Sequence, residues 1–574
     1  MTIAKYVFTL LIAIALLPAG ASVSEPKQNV VESSQNSATI VIKGVRDPST
    51  WFRIESQHLI VYSDSDPEQA VQLVKNLERL DYVLRLYLRP FLIRQPDLPK
   101  LTLYFQDRVN WTAELGEFPV ETVGLVDSCV SGTQVFTFGR GRMWESNNAS
   151  LLTDNVDFTL SAILTLYSEN FLYRHTEIRG PEWFLQGFKF YFGGARFTDN
   201  QMAIGHAAGT TAESMKLLDY SQGRLYFLTY DEVLRKDMSQ DFFSRMKKTE
   251  IGTDAYLAQA EFQSRAFNLV HYMLSTAENR DKMARYLELM NNGSDGGAAF
   301  ADLFGLSGMK LNATMWHYRR VLMKVIKVDF PELPMARIDF TRLSRVEGDF
   351  VLDNAALKAC PSPDNGGKLL RRVRAAAAAA HAVDFAQITM SRAEIEWGDP
   401  RDAIPYLTDA LRHDSRNVEL HYLLGLAHLK LAKNAVGDKR EQLAEARTSL
   451  TEAALLAPGT PWISYALFHV GIMDSETPPE KTMDLASKAW RQGHDVAAFA
   501  RAAALAYAWL GDSASAYRAL NTLAKNDHDP NSAAWAVQWL KLFEKGVTRD
   551  HLLTALRDEP LASPGFRRMY GDAR

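Results

Sequence analysis

The sequence predicts two architectures in one chain: an α+β domain, a small sheet followed by helices, and after it an all-α solenoid of helical hairpins. Three observations carry this expectation. Short strand-like segments crowd the region before Phe138, helical periodicity takes over from Asp157, and small and large apolar residues recur at fixed spacing over the last third. A length of 574 residues also exceeds what one hydrophobic core serves, so two or three domains are expected. With 47% hydrophobic and 23% charged residues the composition is that of a globular protein. The formal net charge of -4 leaves neither sign dominant. Neither a nucleic-acid nor an anionic-membrane partner is implied.

The elements follow in order. Residues 1–21 read as a signal peptide: Lys5 is the positive start, Tyr6 to Leu17 the apolar run, and Ala19-Gly20-Ala21 the small-residue cleavage pattern before Ser22. That apolar run is shorter than the roughly 20 residues that span a bilayer, and no later segment is long and apolar enough, so no transmembrane anchor is expected. No cysteine follows the cleavage site, which argues against a lipoprotein. Residues 22–38 are polar and unpatterned, a tether.

Residues 39–330 form the first domain. Trp51 to Ile54 and His58 to Tyr62 read as paired strands. Asp66-Pro67-Glu68 starts a helix, a capping carboxylate followed by proline at the first helical position. Ala70, Val71, Val74, Leu77, Leu80, Leu84 and Tyr87 carry the helix onward to about Tyr87. Leu101 to Phe105 is a further strand, Thr122 to Phe138 a hairpin, and Asp157 to about Lys327 helical. Residues 331–367, rich in Pro, Asp, Asn and Gly towards their end, read as a linker. Cys129 and Cys360 are the chain's two cysteines; the sequence leaves open whether they pair or stand as two buried thiols.

Residues 368–574 repeat themselves. The run Ala375 to Ala380 suits the first helix of this unit, since alanine is the best helix former. Ala446, Leu450, Ala453 and Pro458 match the second helix of a tetratricopeptide repeat; Ala403, Leu407 and Ala410 repeat the spacing, as do Ala516, Leu520 and Leu523. Gly425 takes the small position of a first helix and Tyr507 its aromatic position. Such spacing lets hairpins interlock and stack. The match is degenerate, with an insertion around Asn434 to Leu443, and a generic array of helical hairpins is the plainer alternative.

Two segments in the first domain carry a resemblance. They read Ile163-Leu-Thr-Leu-Tyr-Ser-Glu-Asn-Phe-Leu-Tyr-Arg-His175 and Glu182-Trp-Phe-Leu-Gln-Gly-Phe-Lys-Phe-Tyr-Phe192. Together with the early strands and the Gln263-Ser-Arg-Ala-Phe-Asn-Leu-Val-His-Tyr272 helix, they resemble the gluzincin-type metallopeptidases, especially bacterial peptidase-MA-like domains. That family carries His-Glu-x-x-His on one helix and Trp-x-x-Glu-Gly-x-Ala-x-Tyr on the next. The resemblance spans roughly residues 50 to 325. It puts the first histidine at Thr165, the general-base glutamate at Leu166, the second histidine at Glu169 and the third ligand at Gln186. All four have changed. Leucine takes no proton, threonine is a poor zinc ligand and glutamine brings no charge. No two of the 13 histidines are four residues apart, so no register restores the motif.

The resemblance therefore implies a peptidase-like domain without catalytic residues, metal or cofactor. Lys189 stands where the family has alanine, on the helical face of Gln186. If the two helices pack as in the family, its ammonium would reach Glu169 and fill the metal position. An exposed lysine whose stem snorkels to solvent is the commoner case and is favoured by the sequence alone. An improvised metal site from His175 with Glu177, plus His206 or His271, and an anion-binding turn at Gly139-Arg-Gly-Arg142 are weaker candidates. Glu169, Glu177 and Glu182 read as surface charges rather than a hydrolase pair. The function expected is an exported adaptor or scaffold that binds a protein or peptide partner. A hydrolase with relocated chemistry is the rival, and a domain kept only for stability is a third reading.

Overall fold

The computed structural model describes residues 40–43, 48–93, 98–106, 122–138, 158–198, 201–209, 211–212, 215, 228–235, 253–329, 337–380, 383–526, 529–561 and 566–571. The expected signal peptide, the tether and the Gly139–Arg142 turn lie outside them.

Period-two alternation makes the strands, because successive side chains leave a strand on opposite faces. In β3 (Leu59–Ser63), Leu59, Val61 and Ser63 are buried while Ile60 and Tyr62 are half-buried. It pairs antiparallel with β2 (Pro48–Glu55), as expected, and parallel with β4 (Leu101–Gln106). The crossover is α1 (Pro67–Tyr87), where Asp66 accepts from the Glu68 and Gln69 amides and Pro67 holds the first turn. The hairpin of β5 (Thr122–Cys129) and β6 (Gly132–Phe138) sits beside β4.

Three strands of the same sheet come from further along the chain or its start. They are β1 (Ile40–Lys43), β10 (Ile338–Ser344) and β11 (Phe566–Gly571), giving the order β1-β10-β2-β3-β4-β6-β5-β11. From Arg337 on, the segment expected as a linker over residues 331–367 is thus packed structure. Ile338, Phe340 and Leu343 are buried in a strand flanked by β1 and β2. Ser344 then forms a capping box with Glu347 at the start of α9 (Arg345–Lys358). Alternation too brief to stand out beside Pro331 and Pro334 hid this strand. The two cysteines are joined as a disulfide, Cys129 at the end of β5 to Cys360 beyond α9; the buried-thiol alternative does not hold.

The sheet is covered on both faces. Ile54, Val61, Leu103, Val126 and Val135 pack with α1 and α2 (Phe158–His175) in one core. Tyr104, Leu125 and Phe136, on the other face, pack with Phe350 and Val351 of α9 and with the helices after it. The expected helical stretch to Lys327 holds α2, α3 (Glu182–Gly193), α4 (Tyr230–Arg235), α5 (Thr253–Leu274), α6 (Ala277–Asn291), α7 (Gly296–Phe304) and α8 (Gly308–His317). It also contains strands too short to leave a period in the sequence. These are β7 (Arg196–Phe197), β8 (Gln201–Ile204) and β9 (Ile326–Asp329), forming a second sheet.

The remainder is helical up to β11. It runs through α10 (Pro363–Ala377), α11 (Asp384–Trp397), α12 (Pro400–His413), α13 (Val418–Lys433), α14 (Lys439–Leu456), α15 (Pro461–Asp474), α16 (Glu480–Gln492), α17 (Ala497–Leu510), α18 (Ser513–Ala524), α19 (Pro530–Lys545) and α20 (Arg549–Asp558). From α10 to α19 each helix packs on the next. Gly425 of α13 lies where a Cβ would come within 2.5 Å of Leu450 of α14, a small-to-large contact of the kind its spacing suggested. The chain is therefore α+β first and all-α afterwards. The halves also touch: Arg179 donates to the His494 carbonyl at 3.0 Å and Lys525 to the Asn291 carbonyl at 2.7 Å. Among the described residues, no helix is long and apolar enough to cross a membrane.

Candidate functional site

Helices α2 and α3 form the centre of the first domain. In α3, Trp183, Phe184, Leu185, Phe188, Phe190, Tyr191 and Phe192 are all buried. Its polar residues Glu182, Gln186 and Lys189 recur three and four residues apart and so share one face, which Lys189 turns towards α2. The helix lies antiparallel to α2, with Gly193 against Thr165 and Lys189 against Glu169. A Cβ on Gly187 would fall 2.3 Å from the Ala266 carbonyl oxygen of α5, so only glycine permits this close approach on the other side.

Each of the five expected site residues has a defined place. Thr165 is fully buried and its hydroxyl donates to the Ser161 carbonyl of its own helix at 2.8 Å. Leu166 packs against Gly124 of β5. Gln186 is half-buried and donates to Glu182 at 2.6 Å, one turn back on α3. Lys189 donates to Glu169 at 3.0 Å, with side chains 9% and 6% exposed. The exposed-lysine expectation is overturned. Glu169, 5% exposed, is likewise no surface charge; the signal for the pair was the spacing that puts Lys189 on the face of Gln186.

This set does not fit the zinc that the resemblance implies for the family. An ammonium sits on the one carboxylate, the threonine hydroxyl and glutamine amide are turned to other partners, and leucine fills the place of the base. No step through a metal follows from such a site. The improvised ligands do not converge either. His271 holds its Nδ1 2.7 Å from the Tyr318 hydroxyl and packs on Tyr191. His175, at the end of α2, lines a different small cavity with Arg174. Among the described residues, no group of three or more His, Cys, Asp or Glu is placed to hold a metal ion.

That small cavity, about 40 Å³, exposes a cluster the sequence reading passed over. Asp81, 1% exposed, accepts from Tyr167 at 2.9 Å and Arg85 at 2.5 Å. Glu78 takes the His58 ring at 2.7 Å and the Ser56 hydroxyl at 2.5 Å. Burial pushes the Glu78 carboxyl up, and the hydrogen bonds from His58 and Ser56 outweigh it, holding it below the usual range. The space admits a water or two. With both carboxylates engaged, the cluster clasps the β2–β3 turn, α1 and α2 together. Its signal was a carboxylate, Asp81, beside Leu80 and Leu84 on the apolar stripe of α1.

The outer side of the β5–β6 hairpin is covered by a strand from far along the chain. β11 pairs antiparallel along β5 from Phe566 opposite Ser128 to Gly571 opposite Thr122, so that edge is already taken by the chain itself.

Three buried histidines give the fold an acid limit. Burial holds His271 down to about 4, and His469 and His494 down to about 3, with Lys433 and Arg179 adding to the effect on the last two. Unfolded histidine titrates near 6.5, so each contributes stability that is complete above that pH. The contribution is lost as pH falls from about 6.5 towards 3–4. Thermal unfolding midpoints are expected to drop steadily over this window, and less steeply in His494→Gln. Equal slopes for the two proteins would contradict the neutral buried state of His494.

Comparison with family models, curated proteins and solved structures finds no match.

Proposed function

We propose that the chain is an exported, non-catalytic peptidase-like protein whose tetratricopeptide-type array binds protein or peptide segments as an adaptor or scaffold in the cell envelope. The observation that carries the proposal is the buried Lys189–Glu169 pair at the position where the resemblance puts metal. Removing a site's metal leaves a polar hole in a low-dielectric interior. An ion pair fills it with matched charge and keeps the two helices in register, the role best attested for buried charges. The stack of helices from α10 to α19 supports the binding half, since stacked hairpins offer a surface longer than any single domain gives.

Metal analysis and peptide-hydrolysis assays on the purified full chain test the first half. Neither stoichiometric zinc nor zinc-stimulated cleavage is expected. Zinc bound one to one, and lost on substituting His175 or His206, would overturn this reading, and cleavage that depends on it would establish the rival hydrolase. The second half is tested by site-specific photo-cross-linkers on α13, α15 and α17, activated in the intact envelope. Discrete adducts from these helices support an adaptor, and their absence from all three overturns it.

A further inference from the structure

A formal net charge of -4 hides one strongly uneven stretch of the chain. Between Asp302 and Asp329 there is no acidic residue, while Lys310, Arg319, Arg320, Lys324 and Lys327 are all basic. The same stretch concentrates exposed apolar surface. Among the described residues eleven large apolar side chains are exposed, and five of them fall here: Met309, Trp316, Val321, Leu322 and Val325. Scattered singly, such residues need no explanation; gathered among like charges, they mark an interaction site.

Helical geometry gathers them. Leu311, Met315 and Tyr318 recur four and three residues apart and are buried. They fasten α8 to the domain, and the Tyr318 hydroxyl lies 2.7 Å from the His271 ring of α5. The opposite arc, Met309, Ala313, Trp316 and Arg320, is exposed throughout. Met309 is 90% and Trp316 52% exposed, and the Arg320 guanidinium lies over the Trp316 ring, 4.4 Å from its centroid. The buried spacing would next claim Leu322. Instead the Met323 amide reaches back five residues to the Tyr318 carbonyl, at 2.9 Å. This turn is one residue wider than an α-helical one, and Leu322 emerges 49% exposed.

The cations have little to neutralise them. Lys310 donates to the Gly305 carbonyl at 2.9 Å, and among the described residues no carboxylate pairs with Lys310, Arg320, Lys324 or Lys327. The acids at the margin are engaged elsewhere. Asp231 takes Arg235 at 3.0 Å and the Gly308 amide at 3.3 Å, and Asp329 accepts from Gln201 at 2.7 Å. Burial, and then the charge of Arg320 beside it, push the Arg319 guanidinium down, as expected of like charges held close.

We propose that this face docks on an anionic phospholipid surface, its apolar side chains entering the boundary between headgroups and acyl chains and its cations meeting lipid phosphates. Tryptophan, aliphatic side chains and basic residues together are the composition of segments that lie in a membrane interface. A protein partner fits less well. Protein interfaces keep charge out of their apolar centre and are poor in lysine, whereas Arg319, Arg320 and Lys324 are interleaved with the apolar residues from Trp316 to Val325. The contact is peripheral, since α8 has ten residues and a spanning helix needs about 20. The inference does not rest on the adaptor reading, because such a face would localise an adaptor and an enzyme alike.

Co-sedimentation of the full chain with vesicles tests it. Binding is expected to vesicles of phosphatidylcholine mixed equally with phosphatidylglycerol. It is expected to be at least tenfold tighter than to phosphatidylcholine alone, and weaker in high salt. Arg320→Gln/Lys324→Gln/Lys327→Gln is expected to weaken it about a hundredfold, and Trp316→Ala several-fold. All four side chains are exposed, so the variants are expected to fold. Both native cysteines are in the disulfide, so an environment-sensitive dye can be placed at Val321→Cys or, as a control, at Leu455→Cys on α14. Its emission is expected to shift to the blue on anionic vesicles from Val321 and to stay unchanged from Leu455. Binding to neutral vesicles as tight as to anionic ones, binding to neither, binding indifferent to the triple substitution, or a blue shift from Leu455 in place of Val321 would overturn the proposal. So would a photo-cross-linker at Val321 that captures a protein and no lipid in the intact envelope, which would assign the face to a protein partner.

Discussion

Lys189→Met is expected to lower stability by about 3–5 kcal/mol, the cost of breaking a buried ion pair by removing one partner. Glu169 is 5% exposed and the Lys189 ammonium lies 3.0 Å from its carboxylate; the substitution takes an ionic partner at hydrogen-bond distance away from a buried carboxylate. The double variant Lys189→Met/Glu169→Leu is the informative companion. Replacing both charges by apolar groups of similar volume is expected to be neutral or to stabilise by about 1–4 kcal/mol. Urea unfolding of wild type, both single variants and the double variant gives the coupling directly. A Lys189→Met protein within about 1 kcal/mol of wild type would contradict the pair's burial, since only solvated ion pairs are worth so little. The cycle also bears on function. If the double variant is the more stable protein, the charges persist for something other than stability, and holding α2 and α3 in one register is the candidate.

Cys129→Ala/Cys360→Ala is expected to cost about 2–5 kcal/mol. The disulfide joins residues 231 apart in sequence, and a cross-link over so long a loop removes much conformational freedom from the unfolded chain. A second term works the other way. Cys360 has φ 46°, a left-handed conformation that costs a residue with a Cβ roughly 1–2 kcal/mol. Glycine adopts it freely. Cys129→Ala/Cys360→Gly is therefore expected to be about 1 kcal/mol more stable than the double-alanine protein while lacking the same cross-link. Unfolding midpoints of the oxidised wild type and the two variants separate these contributions. Equal stability of the variants would exclude the backbone term, and no loss in either would exclude the cross-link's.

Local signals made much of the fold legible. The cap at Asp66 and Pro67, the alternation in β3 and the apolar period of α1 each act within a few residues, and each was readable there. Pairing between distant strands has no such signature. Nothing in Ile338–Ser344 says that it lies between β1 and β2, and nothing in Phe566–Gly571 says that it borders β5. The proline- and glycine-rich surroundings of β10 suggested a boundary where the chain in fact re-enters the sheet. The candidate site divides similarly. Glu169 and Lys189 were singled out through a resemblance between two helices. The direction of Lys189 was misjudged because the general tendency of lysine to reach solvent was weighed above its spacing from Gln186. The ion pairs of Glu419 with Lys358 and Arg392 were out of reach: the three residues sit on α13, α9 and α11, and only the packing of these helices brings them together.

The placement of β11 has a consequence in time as well as in space. Until residues 566–571 are made and delivered, β5 offers a row of unsatisfied backbone donors and acceptors on one side. Contacts spanning so much of the chain form slowly, and an open strand edge in that interval is a template for pairing with another molecule. Supplying the missing strand as a separate peptide during refolding is expected to suppress aggregation of a chain truncated before Phe566. The half-finished protein is the vulnerable species, and its protection is encoded after almost everything it protects.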